Sequence, residues 1–302
     1  MIGNACGKIL QWNIKSRKQE NEFELSSEET QNPILWLCTV KHDEELLLAV
    51  QIRFSDTVYL FKYSNCSWIK LKTFQLPDKH VGFCRGDVGL DNILVFPSGE
   101  NAFVMAKIGK NESGEELYFA SHIKETKSCG MITGLKYSSV DNNQCIFSLF
   151  ENGDVCLYKA VKSNEKYVTT LLCTYHCSTM TPLSIDFDPE KCRGVICGSE
   201  ENLLSFELKA NCDKINFNLL KTRAIISKGI SSIMIRPDKK VVVAGSWDST
   251  VKIFSWLHPE KLKPLGALKF HSDGVEVVTS TTDSALIAAG SKDGKISFWN
   301  IY

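Results

Sequence analysis

The amino-acid sequence predicts an all-β fold, a seven-bladed β-propeller. Three observations carry that reading: a recurring strand ending, a period of about 40 to 50 residues, and short turns between alternating apolar runs. The ending is a branched apolar residue, any residue, usually another apolar residue, then an aromatic, with polar or glycine residues just before. It occurs as GKILQW ending at Trp12, DTVYLF at Phe61, GDVCLY at Tyr158, ENLLSF at Phe206, STVKIF at Phe254 and GKISFW at Trp299. The gaps between endings are 49, 97, 48, 48 and 45 residues, so the longest should hide one degenerate copy, which NAFVMAKI at 101–108 fills.

Seven blades follow, at residues 1–27, 33–76, 80–124, 130–176, 181–224, 229–271 and 272–302. With four strands to a blade, the fourth reads MITGLKYS, QCIFSLFE, DVCLYKA and YVTTLLCTY, and the fifth reads PLSIDFDP, RGVICGSE, NLLSFEL and INFNLLKT. Turns such as ENGD and SEEN join them. One four-stranded blade has two apolar faces and cannot bury both alone; stacked in a ring, blades bury them against neighbours and leave loops for function.

The first blade reads as incomplete. Only GKILQWNI and NEFELS are strand-like there, and the last blade has GVEVVTST, ALIAAGSKD and KISFWNIY, which makes 25 strands of an expected 28. The three absentees would be contiguous in sequence, so the expectation is a chain lacking an N-terminal segment of about 35 to 45 residues. The competing arrangement is a six-bladed ring in which GKILQWNI completes the final blade, and pairing of Lys8 to Asn13 with Ile296 to Ile301 would decide for it. Two α/β domains are disfavoured because no capped 3.6-period stripe is sustained; only SSEETQNP at 26–33 has helix-start character, and its proline stops it.

A chain of 302 residues, 43% hydrophobic, can bury a large core. Lysine plus arginine equal aspartate plus glutamate at 35 each, so no overall field favours nucleic acid or an anionic membrane. The start MIGNACGKILQW lacks the basic end and apolar run of a secretory leader, and no stretch approaches the roughly 20 apolar residues of a membrane helix. The expectation is a soluble, intracellular protein of the cytoplasm and also the nucleus. Its twelve cysteines, scattered through strand-like runs, are expected to be free thiols.

In the last two blades the pattern sharpens. His271 precedes the final blade, Asp293 lies in the turn SKDG and Trp299 ends the third strand; the blade before repeats Asp248 in SWDS with Phe254. These residues resemble the hydrogen-bonded His, Asp and Trp network of WD40 repeats, in which an imidazole donates to a buried aspartate and accepts on its other nitrogen. Departures are plain: Ala289 stands where the second strand should carry a hydroxyl, and Asn300 and Ser255 follow the aromatics in place of aspartate. The network is therefore expected to be partial.

A closer resemblance covers nearly the whole chain, densest after residue 180 and thinnest in the third blade. The runs VGFCR at 81–85, IRPDKK at 235–240, AGSWDSTVKIFSW at 244–256, LKFHSDGVEVV at 268–278 and AAGSKDGKISFWNIY at 288–302 resemble the family of guanine nucleotide-binding protein subunit beta-like protein 1 and ASTRA-associated protein 1. The resemblance implies a protein-binding role: association with the ASTRA assembly and with the co-chaperones that stabilise and mature phosphatidylinositol-3-kinase-related kinases, and hence a part in DNA-damage signalling. A heterotrimeric G-protein role with a gamma subunit is not expected, because nothing before Trp12 could supply the heptads of a pairing helix.

No catalytic constellation emerges. Cys173, His176 and Cys177 in CTYHC are soft ligands without a second pair at zinc spacing, so structural thiols are the better reading. FCRGDVGLDN lacks the lysine and following helix of a phosphate loop, and its RGD at 85–87 is a chance triplet in a turn. His271 could serve as a base, but its motif position pairs it with Asp293. The chain is thus expected to be non-enzymatic, with no cofactor and no metal. As candidate partner-binding residues the sequence offers Trp247, beside the turn aspartate, with Lys292 in the next blade, and Arg236, Arg193 and Arg85. The alternative function is a reader of a modified peptide at the channel mouth, which would need these groups to converge as a cage or an arginine ring.

Overall fold

The structure is a computed structural model and describes residues 1–25, 32–42, 44–89, 92–110, 116–124, 129–163, 166–177, 180–211, 214–225, 229–258 and 262–301. Seven antiparallel sheets follow one another along the chain. The first contains β1 (Ile2–Gly3), β2 (Lys8–Asn13) and β3 (Lys18–Glu24), and the second β4 (Ile34–His42), β5 (Glu45–Ile52), β6 (Thr57–Ser64) and β7 (Ser67–Gln75). The third holds β8 (Asp87–Val88), β9 (Ile93–Ser98), β10 (Ala102–Lys110) and β11 (Glu116–Lys124), and the fourth β12 (Ile132–Val140), β13 (Asn143–Phe150), β14 (Asp154–Ser163) and β15 (Lys166–His176). The fifth holds β16 (Pro182–Asp188), β17 (Arg193–Gly198), β18 (Asn202–Asn211) and β19 (Lys214–Ala224), and the sixth β20 (Ile230–Ile235), β21 (Val241–Ser246), β22 (Thr250–Ser255) and β23 (Lys263–Lys269). The seventh contains β24 (Val275–Ser280), β25 (Ile287–Ser291) and β26 (Ile296–Trp299). Each sheet pairs its strands in sequence order, and no α-helix occurs among the described residues; this is the strand arrangement of a seven-bladed β-propeller.

The second strand of each complete sheet shows why the pattern folds this way. In β9, β17 and β21 all six residues are buried, as are Leu47 to Ile52 of β5 and Cys145 to Phe150 of β13. These continuous apolar runs have a core on both faces. The outermost strands are mostly exposed, as in β7 and β23, where they meet water.

The chain divides into two compact units, Met1–Tyr137 with Val161–Thr169, and Ser138–Ala160 with Thr170–Tyr302. In the first, one cluster joins Ile9 to Leu48, Val50, Tyr59 and Phe61, and another joins Trp36, Val58, Leu60 and Phe74 to Leu94, Phe96 and Val104. In the second, Phe147, Phe187 and Phe206 pack with ring centroids 5.1 to 6.0 Å apart, Phe187 stacked on Phe206 and Phe147 edge-on to Phe206. Further clusters join Val195 and Leu203 to Val242 and Phe254, and Val243 and Ile253 to Val275 and Ile287. Each cluster takes a face from one sheet and the facing side of the next, so burial is shared by neighbours.

Side chains on the first strand of a sheet also reach the first strand of the following one. Asp87 Oδ2 accepts from the Tyr137 amide at 2.9 Å, Ser184 Oγ from Ile233 at 3.2 Å, Asp186 Oδ2 from Ile235 at 2.6 Å and Ser232 Oγ from Val278 at 3.2 Å. Backbone donors on an otherwise unpaired strand edge are thereby satisfied.

The sequence reading requires one correction here, and its competing six-bladed arrangement falls. The first sheet has three strands where two were expected, because Ile2 and Gly3 pair with Leu10 and Ile9; two residues are too few to show alternation. The strand Lys8–Asn13 lies between β1 and β3, and β26 pairs with β25, so the six-bladed arrangement is not the one formed. The helix-start segment SSEETQNP lies mostly outside the described residues.

Candidate protein-interaction face

The turns between the second and third strands of the sixth and seventh sheets, and the connections leading into those sheets, carry the residues that the motif singled out. In the seventh sheet His271 Nδ1 lies 3.2 Å from Asp293 Oδ2, and its Nε2 lies 2.8 Å from Ser297 Oγ. The Trp299 indole donates to that same Oγ at 2.9 Å. An indole N–H can only donate and a carboxylate can only accept, so the indole donates to the hydroxyl and Nδ1–H to the carboxylate; in the neutral imidazole Nε2 is then the acceptor of the hydroxyl proton. The His271 and Asp293 side chains are both almost fully buried. Asp293 also accepts from the amides of Ser272 and Lys295, at 3.0 and 2.9 Å. Burial pushes its carboxyl up, but these bonds, with those from His271 and Ser291, outweigh it and hold the group well below the usual carboxylate range.

The network is therefore more complete than the sequence suggested. Ala289 does lack the hydroxyl, but its cross-strand partner is Ser297, whose Oγ takes the place. Directly opposite residues share a face of a sheet, so the hydroxyl moves across the ladder without leaving the site.

Asp248 behaves differently. It accepts from the Thr250 amide and hydroxyl, at 3.2 and 2.6 Å, and from Lys252 Nζ at 2.6 Å, closing its own turn without a histidine. Phe254 is buried in the core between sheets. The indole in the sixth sheet is Trp256, two residues later and fully buried, donating to Asp188 Oδ2 at 3.2 Å beneath the Arg193 guanidinium. The aromatic-any-aromatic spacing of FSW was the signal that could have found it.

Trp247 stands on the turn between β21 and β22 with 41% of its surface exposed. Its Nε1 donates to Ser231 Oγ at 2.6 Å, and its ring lies on the backbone of Gly229. A Cβ on Gly229 would meet Trp247 Cε3 at 2.7 Å, and φ is +155° there. The indole is exposed yet fixed in place. Lys292 belongs to the adjoining turn: its amide donates to Gly274 O at 3.0 Å, and Gly274 packs on the Trp247 backbone. The Lys292 side chain is 60% exposed, with Nζ 3.4 Å from Glu276. An anchored indole on a turn that adjoins one carrying an exposed ammonium is suited to a protein contact, since aromatic anchors with a charged rim dominate such interfaces.

Two arginines do not join this face. Arg236 is buried, pairs with Asp238 through both Nε and Nη2, and donates from Nη1 to Ile301 O at 2.7 Å. Arg193 is buried over Trp256, its Cζ 4.6 Å from the ring centroid and its Nη2 on Trp256 O. Both hold the fold together and are corrected from partner-binding candidates to internal groups. Arg85 is half-buried next to Cys84 on the connection leading into β8. Arg236 and Arg193, two of the arginines a channel-mouth reader would need, are thus committed to internal contacts.

The remaining candidates are accounted for locally. His176 Nδ1 lies 2.8 Å from Asp154 Oδ1, and burial pushes the Cys173 and Cys177 thiols up to about 11 and about 12. In the RGD triplet Asp87 faces the Tyr137 amide and Lys136, and Gly86 packs on Trp36. Eleven cysteines are free; Cys212 lies outside the described residues.

Comparison with known proteins agrees with this geometry. The WD40 family model, "WD domain, G-beta repeat", matches residues 220–255 and 262–300, so the chain carries WD40 repeats in its sixth and seventh sheets. It is 29% identical over 234 residues to guanine nucleotide-binding protein subunit beta-like protein 1 of Mus musculus, covering 74% of this chain and 65% of that protein. It is 38% identical over 74 residues to ASTRA-associated protein 1 of Schizosaccharomyces pombe, covering 24% of this chain and 19% of that one. The chain thus spans just under two thirds of the mouse relative. Among solved structures, a chain of a mitotic checkpoint complex aligns with a TM-score of 0.72 at 12% identity, over 98% of this chain and 82% of its own. The Cps50 (Swd1) beta-propeller domain of Myceliophteria thermophila aligns with a TM-score of 0.73 at 11% identity, over 99% and 92%. At these identities the two structures speak for the fold alone.

Proposed function

We propose that this WD40 propeller is a non-enzymatic scaffold of the ASTRA-associated kind. It would act with co-chaperones, in the cytoplasm and nucleus, to support the stability and maturation of phosphatidylinositol-3-kinase-related kinases, and through them DNA-damage signalling. The observation that carries the scaffold reading is the fixed, exposed indole of Trp247 on the turn closed by Asp248, next to the Lys292 turn held by the His271, Asp293 and Ser297 network. The kinase-maturation reading is supported by the resemblance to ASTRA-associated protein 1 of two Schizosaccharomyces species, 38% and 35% identical over 74 residues. Affinity purification with mass spectrometry tests both levels. Co-chaperone and ASTRA components should copurify with the native chain and be depleted by Trp247→Ala. Recovery of an unrelated partner set would refute the kinase role, and an interactome untouched by Trp247→Ala would refute this face.

A further inference from the structure

A second exposed cluster, in the first unit, has a charge arrangement that the structure itself leaves uncompensated. Arg53 begins the turn between β5 and β6, and its guanidinium is held between two phenyl rings, Cζ lying 3.7 Å from the Phe83 centroid and 4.6 Å from that of Phe54. Its Nη2 rests on Val81 O at 3.4 Å, and its Nε is buried without an acceptor. Desolvation lowers the pKa of Arg53, and among the described residues no carboxylate pairs with it. Other arginines differ: Arg236 has Asp238, and Arg193 lies in the field of Asp188 and Glu207. A desolvated cation without a counter-charge is unfavourable unless something supplies one.

The surroundings indicate what could. Phe83 is 73% exposed, and Phe54 and Val81 are about two-fifths exposed around it, so the cation sits in an apolar surround open to solvent. The neighbouring His80 is buried and its pKa is lowered, by burial first and by the Arg53 charge, so it adds no second cation near neutral pH. A cavity of about 350 Å³ beyond Val81 is lined by charges of both signs, Asp78, Lys79 and Glu100, so it does not extend Arg53 into a basic patch.

We propose that Arg53, framed by Phe54 and Phe83, receives a carboxylate from an acidic peptide segment of a partner protein, with an adjacent apolar side chain of that segment covering Phe83. Guanidinium and carboxylate match as a bidentate pair, and the flanking rings exclude water from it. A nucleic acid fits less well, because a phosphate backbone is held by several spaced cations, whereas a single guanidinium framed by apolar rings matches one carboxylate next to an apolar side chain.

The test is fluorescence anisotropy of the native chain with a fluorescein-labelled EEFEE peptide, its uncharged counterpart QQFQQ and a labelled single-stranded oligonucleotide. EEFEE should bind, more weakly as salt rises, and Arg53→Gln and Phe83→Ala should each lose at least about tenfold in affinity, the loss of one buried charged hydrogen bond or aromatic contact. Phe83→Ala removes an exposed ring and keeps the test valid if Arg53→Gln folds poorly, as thermal denaturation would show. Trp247→Ala should leave EEFEE binding intact, which separates this site from the scaffold face. No binding of EEFEE, equal binding of QQFQQ, unchanged affinity in Phe83→Ala, or preferential binding of the oligonucleotide would each overturn the proposal.

Discussion

Ala289 and Ser297 face each other across the ladder between β25 and β26, and the hydroxyl that ties His271 to Trp299 sits on Ser297. Ser297→Ala should leave both the imidazole nitrogen and the indole N–H unpaired in a buried site, costing about 1–3 kcal/mol. Adding Ala289→Ser to that variant should return much of the loss, because the new hydroxyl enters from the opposite strand on the same face. Urea denaturation of the single and double variants measures both effects.

Two groups should make the fold acid-sensitive, each in its own window. His80 is buried with its pKa lowered, by burial, with the Gly99 carbonyl opposing and the Arg53 charge adding. Its contribution is intact above the unfolded value near 6.5 and is lost as pH falls from there toward the folded value. Asp293 is held below the usual carboxylate range, so its contribution persists above about pH 4 and is lost below it. Stability measured from pH 8 to pH 3 should fall in two stages, with His80→Gln removing the first and Asp293→Asn the second.

Thiol reactivity should sort by burial. Cys6 and Cys66 are exposed, whereas Cys84, Cys145, Cys177 and Cys197 are buried and burial raises their pKa values, Cys145 to about 11. Because the thiolate is the nucleophile, a short iodoacetamide pulse on the native chain should label Cys6 and Cys66 and spare those four. Peptide mass spectrometry reads the pattern, and all should label after denaturation.

Gly229→Ala should displace the Trp247 indole, since the added methyl would lie 2.7 Å from Cε3 in a backbone conformation that alanine rarely adopts. A stability loss of about 1 kcal/mol or more is expected from the backbone alone. The Trp247 Nε1–H resonance, held by Ser231 in the native chain, should shift, and partner capture should weaken as in Trp247→Ala.

The fold was legible because its signal is repetition: an apolar run ending in an aromatic marks the third strand of a sheet at Phe61, Tyr158, Phe206, Phe254 and Trp299, and the central strand of the three-stranded first sheet at Trp12. The site was less legible because it depends on register and exposure. A sequence shows that Ala289 lacks a hydroxyl, but only strand pairing reveals that Ser297 stands opposite. Arg236 and Asp238 are two residues apart in a turn, a spacing that could have warned of an internal fork, whereas Arg193 meets Trp256 from 63 positions away. Arg53, Phe54 and Phe83 are likewise brought together by two separate connections, and nothing in either segment announces the other.

The side-chain bonds between successive first strands have a direction: Asp87 serves Tyr137, Ser184 and Asp186 serve Ile233 and Ile235, and Ser232 serves Val278, with the acceptor always in the earlier sheet. Repetition in this chain is therefore not interchangeability. A sheet transplanted to another position would carry its acceptors to a neighbour whose amides it was not spaced to meet, and would leave its former neighbour's amides bare. Acceptor and donor both sit on first strands, so a chimaera cut anywhere between two successive first strands parts one acceptor from its amide, and a sheet should be exchanged successfully only together with the first strand of its follower.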